Sequence, residues 1–208
     1  MFPLAAASLA LVLGHVVPSA PPVRRRLVGA LGRGGFTAGY SVLSLALLAW
    51  VVVAWQDAAG GPWLWMPPPW TRWVTVAAMP VALWLVASAL VDRPAAGGFP
   101  EASRRGAYRL TRAPGSLGVV LWAGLHLLSV GSARAAILFG ALALLGLATL
   151  AKARLTARLG EPSGTPAPPP RRPRPAWLAP VLAGALWLGL LALHPLVIGV
   201  DPLATLPT

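Results

Sequence analysis

Three histidines, His15, His126 and His194, are the whole imidazole supply of this 208-residue chain, and each lies in an apolar stretch. No Asp, Glu, Lys or Arg sits centrally in those stretches. An ionisable side chain at membrane depth is expensive and marks a functional position by default. Neutral imidazole is also the commonest metal ligand among side chains. The chain has no cysteine, which excludes disulfides, iron–sulfur clusters and covalent haem attachment and leaves no thiolate nucleophile. A carboxylate proton relay has no members here. Two or three imidazoles together favour axial ligation of a non-covalent haem b, or a small metal site. The plain alternative for each ring is a neutral imidazole hydrogen-bonded to another helix.

The neighbours of each histidine follow from helical spacing. Gly115, Gly118, Trp122, His126 and Ser129 share one helical face. The two glycines leave a slot that serves either close helix packing or a flat macrocycle. Ser8, Val12 and His15 share a face, and Trp187 stands two turns before His194. Haem b needs apolar walls, one or two imidazoles and cations for its propionates. Arg24, Arg25, Arg26, Arg105, Arg109 and Arg112 are available as those cations.

The elements that must hold these residues are membrane helices. Hydrophobic residues make up 57% of the chain and charged ones 11%, with a mean hydropathy of +0.70. A soluble domain carries about 25% charged residues. The expectation is one all-α domain over 1–208, a polytopic helical bundle in the lipid bilayer. Spanning the hydrocarbon takes roughly 20 apolar residues, and six candidates appear at 2–17, 36–55, 70–91, 115–130, 135–150 and 177–200. The first resembles a signal peptide, but its positive charges follow the apolar run, so it reads as a retained span. Pro67-Pro68-Pro69 stiffens one turn, and Pro80 and Pro195 should kink their helices. The stretch Glu161–Pro175 reads as an extended proline-rich linker. No internal repeat is visible.

Charge orders the spans. The net charge is +12, yet 15 of the 17 Lys and Arg residues fall in alternate loops. Topology therefore accounts for the basicity without nucleic acid. The positive-inside rule places those loops in the cytoplasm and both termini outside. Trp55, Trp63, Trp65, Trp70 and Trp73 cluster at the opposite edge as headgroup-level anchors. By depth, His15 lies toward the cytoplasmic leaflet, His126 near the middle and His194 toward the outer face. Depth alone does not choose a ligand pair among them.

Ordered local patterns run through the chain. Gly14-His15 precedes Pro18-Ser19-Ala20-Pro21-Pro22-Val23-Arg24 and Phe36-x-x-x-Tyr40-Ser41. Then come Leu64-Trp65, Pro69-Trp70, Leu110-Thr111-Arg112-Ala113-Pro114 and Leu121-Trp122-Ala123-x-x-His126-Leu127-Leu128. Leu138-Phe139-Gly140 and His194-Pro195-x-x-x-Gly199-Val200 close the set. In this order they resemble the NnrU family of bacterial membrane proteins along nearly the whole chain. That resemblance implies a place in the bacterial inner membrane and an association with denitrification. It also implies kinship with the plant 15-cis-zeta-carotene isomerase, a haem b enzyme with two histidine ligands, which match His15 and His126. Arg112 and Trp122 complete the cofactor-binding set expected from the two readings together. One departure is Arg112-Ala113-Pro114 where the family usually has Arg-His-Pro. The missing histidine weakens a third reading, an S-adenosylmethionine-dependent membrane methyltransferase. The expected function is thus a haem b protein with a redox or nitric-oxide-binding role and a redox partner. The alternative is haem-dependent isomerisation of a carotenoid-like polyene.

Overall fold

The computed structural model describes residues 1–58, 61–92, 106–159 and 174–203. Six α-helices account for most of them: α1 (Phe2–Ser19), α2 (Pro21–Asp57), α3 (Trp70–Val91), α4 (Pro114–Ser129), α5 (Ala133–Leu159) and α6 (Leu178–Ile198). A short 3-10 turn, Gly106–Arg109, leads into α4. Among the described residues there is no strand, and one isolated bridge joins Trp63 to Ser132. The all-α expectation holds. In a bilayer, only helices and closed barrels satisfy every backbone polar group.

Five helices (α1, α2, α3, α5 and α6) are long and apolar enough to cross a membrane. The sixth, α4, has 16 residues, or about 24 Å at 1.5 Å per residue. It lies between α3 and α5, so protein covers flanks that lipid would otherwise meet. Most ends fall within one to three residues of those expected, but two helices run further. α5 continues well past 150. The basic segment expected as a loop after the first span is helical, so α2 begins at Pro21. Gly32, at φ 69° and ψ 170°, breaks α2 into a leg carrying Arg24, Arg25 and Arg26 and the long apolar limb that follows. A left-handed φ of this kind is cheap only for glycine. Residues 161–173 of the expected linker 161–175 lie outside the described residues, and so do Arg93, Arg104 and Arg105.

The helices pack in the order α2, α1, α5, α4, α3, α6, each against the next. Contacts fix their directions. Ala133 and Met1 both lie beside Gly61, and Lys152 Nζ donates to the Ser19 carbonyl, so α1 and α5 run parallel. Gly146 abuts Val120 and Ser116, so α4 runs the other way. Thr75 Oγ1 donates to Leu125 O at 2.8 Å, and Gly118 abuts Ala82, which makes α3 antiparallel to α4. Two faces result. The entry face carries Met1, Ala58, the Trp63–Ser132 bridge and Arg134. The arginine face carries Ser19, Arg24, Arg109, Arg112, Lys152 and Arg154.

Two apolar clusters form the interior. One joins Leu4, Ala7 and Leu11 of α1 to Val51, Ala54 and Trp55 of α2, Ala123 of α4 and Phe139 of α5. The other joins Met79, Ala82, Leu83 and Ala87 of α3 to Leu125 of α4 and Ala179 and Ala183 of α6. Alanine recurs at these crossings because lipid tails are as apolar as leucine, so helices associate through close approach. Thr75 adds a polar tie between α3 and α4, worth about 0.6 kcal/mol on average and at most about 2.

Candidate functional site

Two of the histidines are held in the same way. His15 Nδ1 meets Leu11 O at 2.8 Å. His126 Nδ1 meets Trp122 O at 2.8 Å. Each ring thus binds the carbonyl one turn earlier on its own helix, and not another helix. An Nδ1–H donated to a carbonyl leaves Nε2 as the basic nitrogen, the arrangement common among metal-ligating histidines. His194 differs. Its Nδ1 meets Val200 O at 2.7 Å, beyond the end of α6, where Gly199 adopts φ 80°. That ring ties down a helix terminus.

Each of the first two rings ends an aromatic row. His126 stacks on Phe139, with centroids 4.4 Å apart and planes at 23°. Trp122 lies edge-on to both rings, at 5.1 Å from His126 and 5.4 Å from Phe139. Phe139 meets Trp55 edge-on at 6.2 Å, and the Arg134 guanidinium covers Trp55 at 4.6 Å. His15 meets Tyr40 edge-on at 5.6 Å, Tyr40 stacks on Phe36 at 5.9 Å, and Arg24 covers Phe36 at 5.7 Å. The His126 row runs to the entry face and the His15 row to the arginine face.

Helix α5 serves as a ruler for depth. His15 stands four residues before Ser19, whose carbonyl meets Lys152, and so lies near the level of position 148. His126 lies against Phe139. The interval from 139 to 148 is roughly 13 Å at 1.5 Å per residue. His126 is therefore nearer the entry face than the mid-membrane position expected of it. It shares that end with His194, which stands near the end of α6. Side chains lean toward the N-terminus of their own helix, and both Nδ1 bonds pull the rings further that way. Because α1 and α4 are antiparallel, the lean moves the rings toward one another and closes part of the gap. Two imidazoles with anchored Nδ1 and apolar neighbours, leaning from opposite ends of antiparallel helices, are donors of the kind a haem iron takes.

The other expected residues fall as follows. Trp122 packs against His126 and supplies the carbonyl that holds it. The glycine slot on α4 is filled by α3. A Cβ at Gly118 would come within 2.7 Å of Ala82 O, and one at Gly115 within 2.8 Å of Ala89 Cβ. The slot serves helix packing and holds no space for a macrocycle. Arg112 lines a cleft of about 270 Å³ on the arginine face with Arg109 and Arg154, and neither histidine lines that cleft. Among the described residues no group of three or more His, Cys, Asp or Glu converges as a metal site. Phe139 and Tyr40 are the site neighbours that the sequence did not single out for chemistry. The i, i+4 spacing of Phe36 and Tyr40 was the available signal for one row, whereas Phe139 carries no such signal.

The fold and these intramembrane rings define a multi-pass helical membrane protein. Residues 3–202 match the family model described as NnrU protein, and the chain belongs to that family. Neither the curated proteins nor the solved structures contain a match.

Proposed function

We propose that this chain is a haem b-binding protein of the bacterial inner membrane, with His15 and His126 as the iron ligands. The observation that carries the reading is the pair of antiparallel helices whose histidines lean toward each other, each with Nδ1 fixed by the preceding turn. Anchoring of that kind sets ring orientation and raises the basicity of the free nitrogen. Phe139, Trp122 and Tyr40 supply apolar walls and limit water beside the rings. Held by His15 and His126, haem b would supply a one-electron iron couple or an iron that binds a small ligand. The role that fits the family's association with denitrification is electron transfer or nitric oxide binding. The positive-inside rule assigns the arginine face to the cytoplasm and both termini to the outside.

The test is an absorption spectrum of the detergent-purified protein, oxidised and reduced, after expression with ample haem. A Soret band that is altered or lost in both His15→Ala and His126→Ala supports the pair. Absence of any Soret band in the unmodified protein sinks the reading. Carbon monoxide binding to the reduced form distinguishes an openable site from a pure electron carrier.

A further inference from the structure

The cleft on the arginine face is separate from the histidines. Its lining includes Arg109, Leu110, Thr111 and Arg112 ahead of α4, and Leu150 and Arg154 on α5. Leu150 and Arg154 lie eleven and fifteen positions along α5 from Phe139, roughly 17–22 Å from the level of the His126 ring. Positions 150, 153 and 154 point toward the start of α4, whereas Lys152 lies on the far side of α5 and meets α1. The body of α5 therefore stands between this cleft and His15.

Three features converge in it. Three arginines border one cleft, and none of the described residues that line it carries a carboxylate. Guanidinium binds phosphate through two parallel charge-assisted N–H bonds. The start of α4, a 16-residue helix, lies at the same place with Pro114 as its first residue and no side-chain cap. Thr111 Oγ1 accepts from Ala113 N at 3.2 Å and orients that entry. Ala113, the residue before α4, lines the cleft, so the positive end of the helix dipole lies beside it, where anions bind favourably. The third feature is the remaining wall, in which Leu110 and Leu150 form an apolar side. Arginines dispersed only to set topology need not enclose a cavity.

We infer that this cleft is a phosphate-binding site, formed by Arg109, Arg112, Arg154 and the start of α4. Its ligand is a phosphate oxyanion, carried either by a lipid headgroup or by a free phosphate. The inference does not depend on the haem reading, since the cleft contains neither histidine.

Calorimetric titration of the full-length protein in neutral detergent at low salt tests it, with dihexanoyl phosphatidate and inorganic phosphate as separate probes. The expected result is saturable binding of at least one probe. Arg112→Gln and Arg154→Gln should each weaken it about tenfold, the loss of one charge-assisted contact. Arg72→Gln, in the first turn of α3 on the entry face, should leave it unchanged. Binding of the lipid alone identifies a headgroup site, and equal binding of both probes identifies a free-phosphate site. No saturable binding of either probe to the unmodified protein overturns the inference. So does equal weakening by all three variants, which would mean general charge attraction. Absorbance read on the same samples separates the two proposals. Haem lost from Arg112→Gln would make that guanidinium a cofactor contact and overturn the phosphate assignment, whereas absence of haem throughout would leave phosphate binding intact.

Discussion

At the scale of single residues, the three histidines do unlike things. His15 and His126 each bond back to their own helix, while His194 ties the end of α6 to Val200. A spectrum of His194→Ala identical to that of the unmodified protein is therefore expected, with the Soret band altered or lost in the other two Ala variants. Phe139 is the residue on which the His126 side depends most. Its ring is buried and touches His126, Trp122 and Trp55. Phe139→Ala should destabilise the protein by about 3–5 kcal/mol, as buried Phe truncations do, measured by reversible unfolding in mixed micelles. The same variant should also shift the Soret maximum, because the ring that fixes His126 is gone. Unchanged stability and an unchanged spectrum would remove Phe139 from the site.

At the scale of elements, the crossing of α3 and α4 and the bend in α2 are the vulnerable points. Gly118 lets α4 approach the Ala82 carbonyl so closely that no side chain fits. Gly118→Val should cost about 1–3 kcal/mol by overpacking, read as a lower melting temperature in detergent. Thr75 ties the same pair of helices, so Thr75→Val should cost less, about 1 kcal/mol. Gly32→Ala places a Cβ in a positive-φ extended conformation that is essentially reserved for glycine, at a cost of about 1–3 kcal/mol. Limited proteolysis near the basic leg of α2 should accelerate in that variant. Space around Gly32 is open, so a measured loss there reports backbone strain and not a clash.

At the scale of the whole molecule, alternate helices run in opposite directions, and the basic residues collect at one end. The chain contains no cysteine, so single-cysteine probes need no background removal. Met66→Cys, on the entry face, should react with an impermeant maleimide in intact cells. Arg109→Cys, on the arginine face, should react only after the membrane is permeabilised. The opposite pattern would invert the assigned orientation. Both labelled in intact cells would break the alternation itself.

Much of this architecture is legible in the chain because the bilayer leaves few choices. Apolar length sets the spans, the arginines set their alternation, and Trp and Pro mark the edges. Span 70–91 coincides with α3 for that reason. The start of α2 was not legible, because Arg24-Arg25-Arg26 suggests a loop, whereas a basic leg can stay helical when one glycine turns it at the interface. The site divides along the same line. Sequence by itself determined that His15, His126 and His194 are the only imidazoles, that each is near or within the membrane, and that any haem is non-covalent. Only the tertiary structure decided which carbonyl each ring binds, that α3 fills the glycine slot, and that Arg112 borders a cleft with Arg154 and not a histidine. Composition and periodicity specify which face of a helix is buried. They do not specify the partner helix, its direction or its depth, and those depend on packing among residues far apart in the chain.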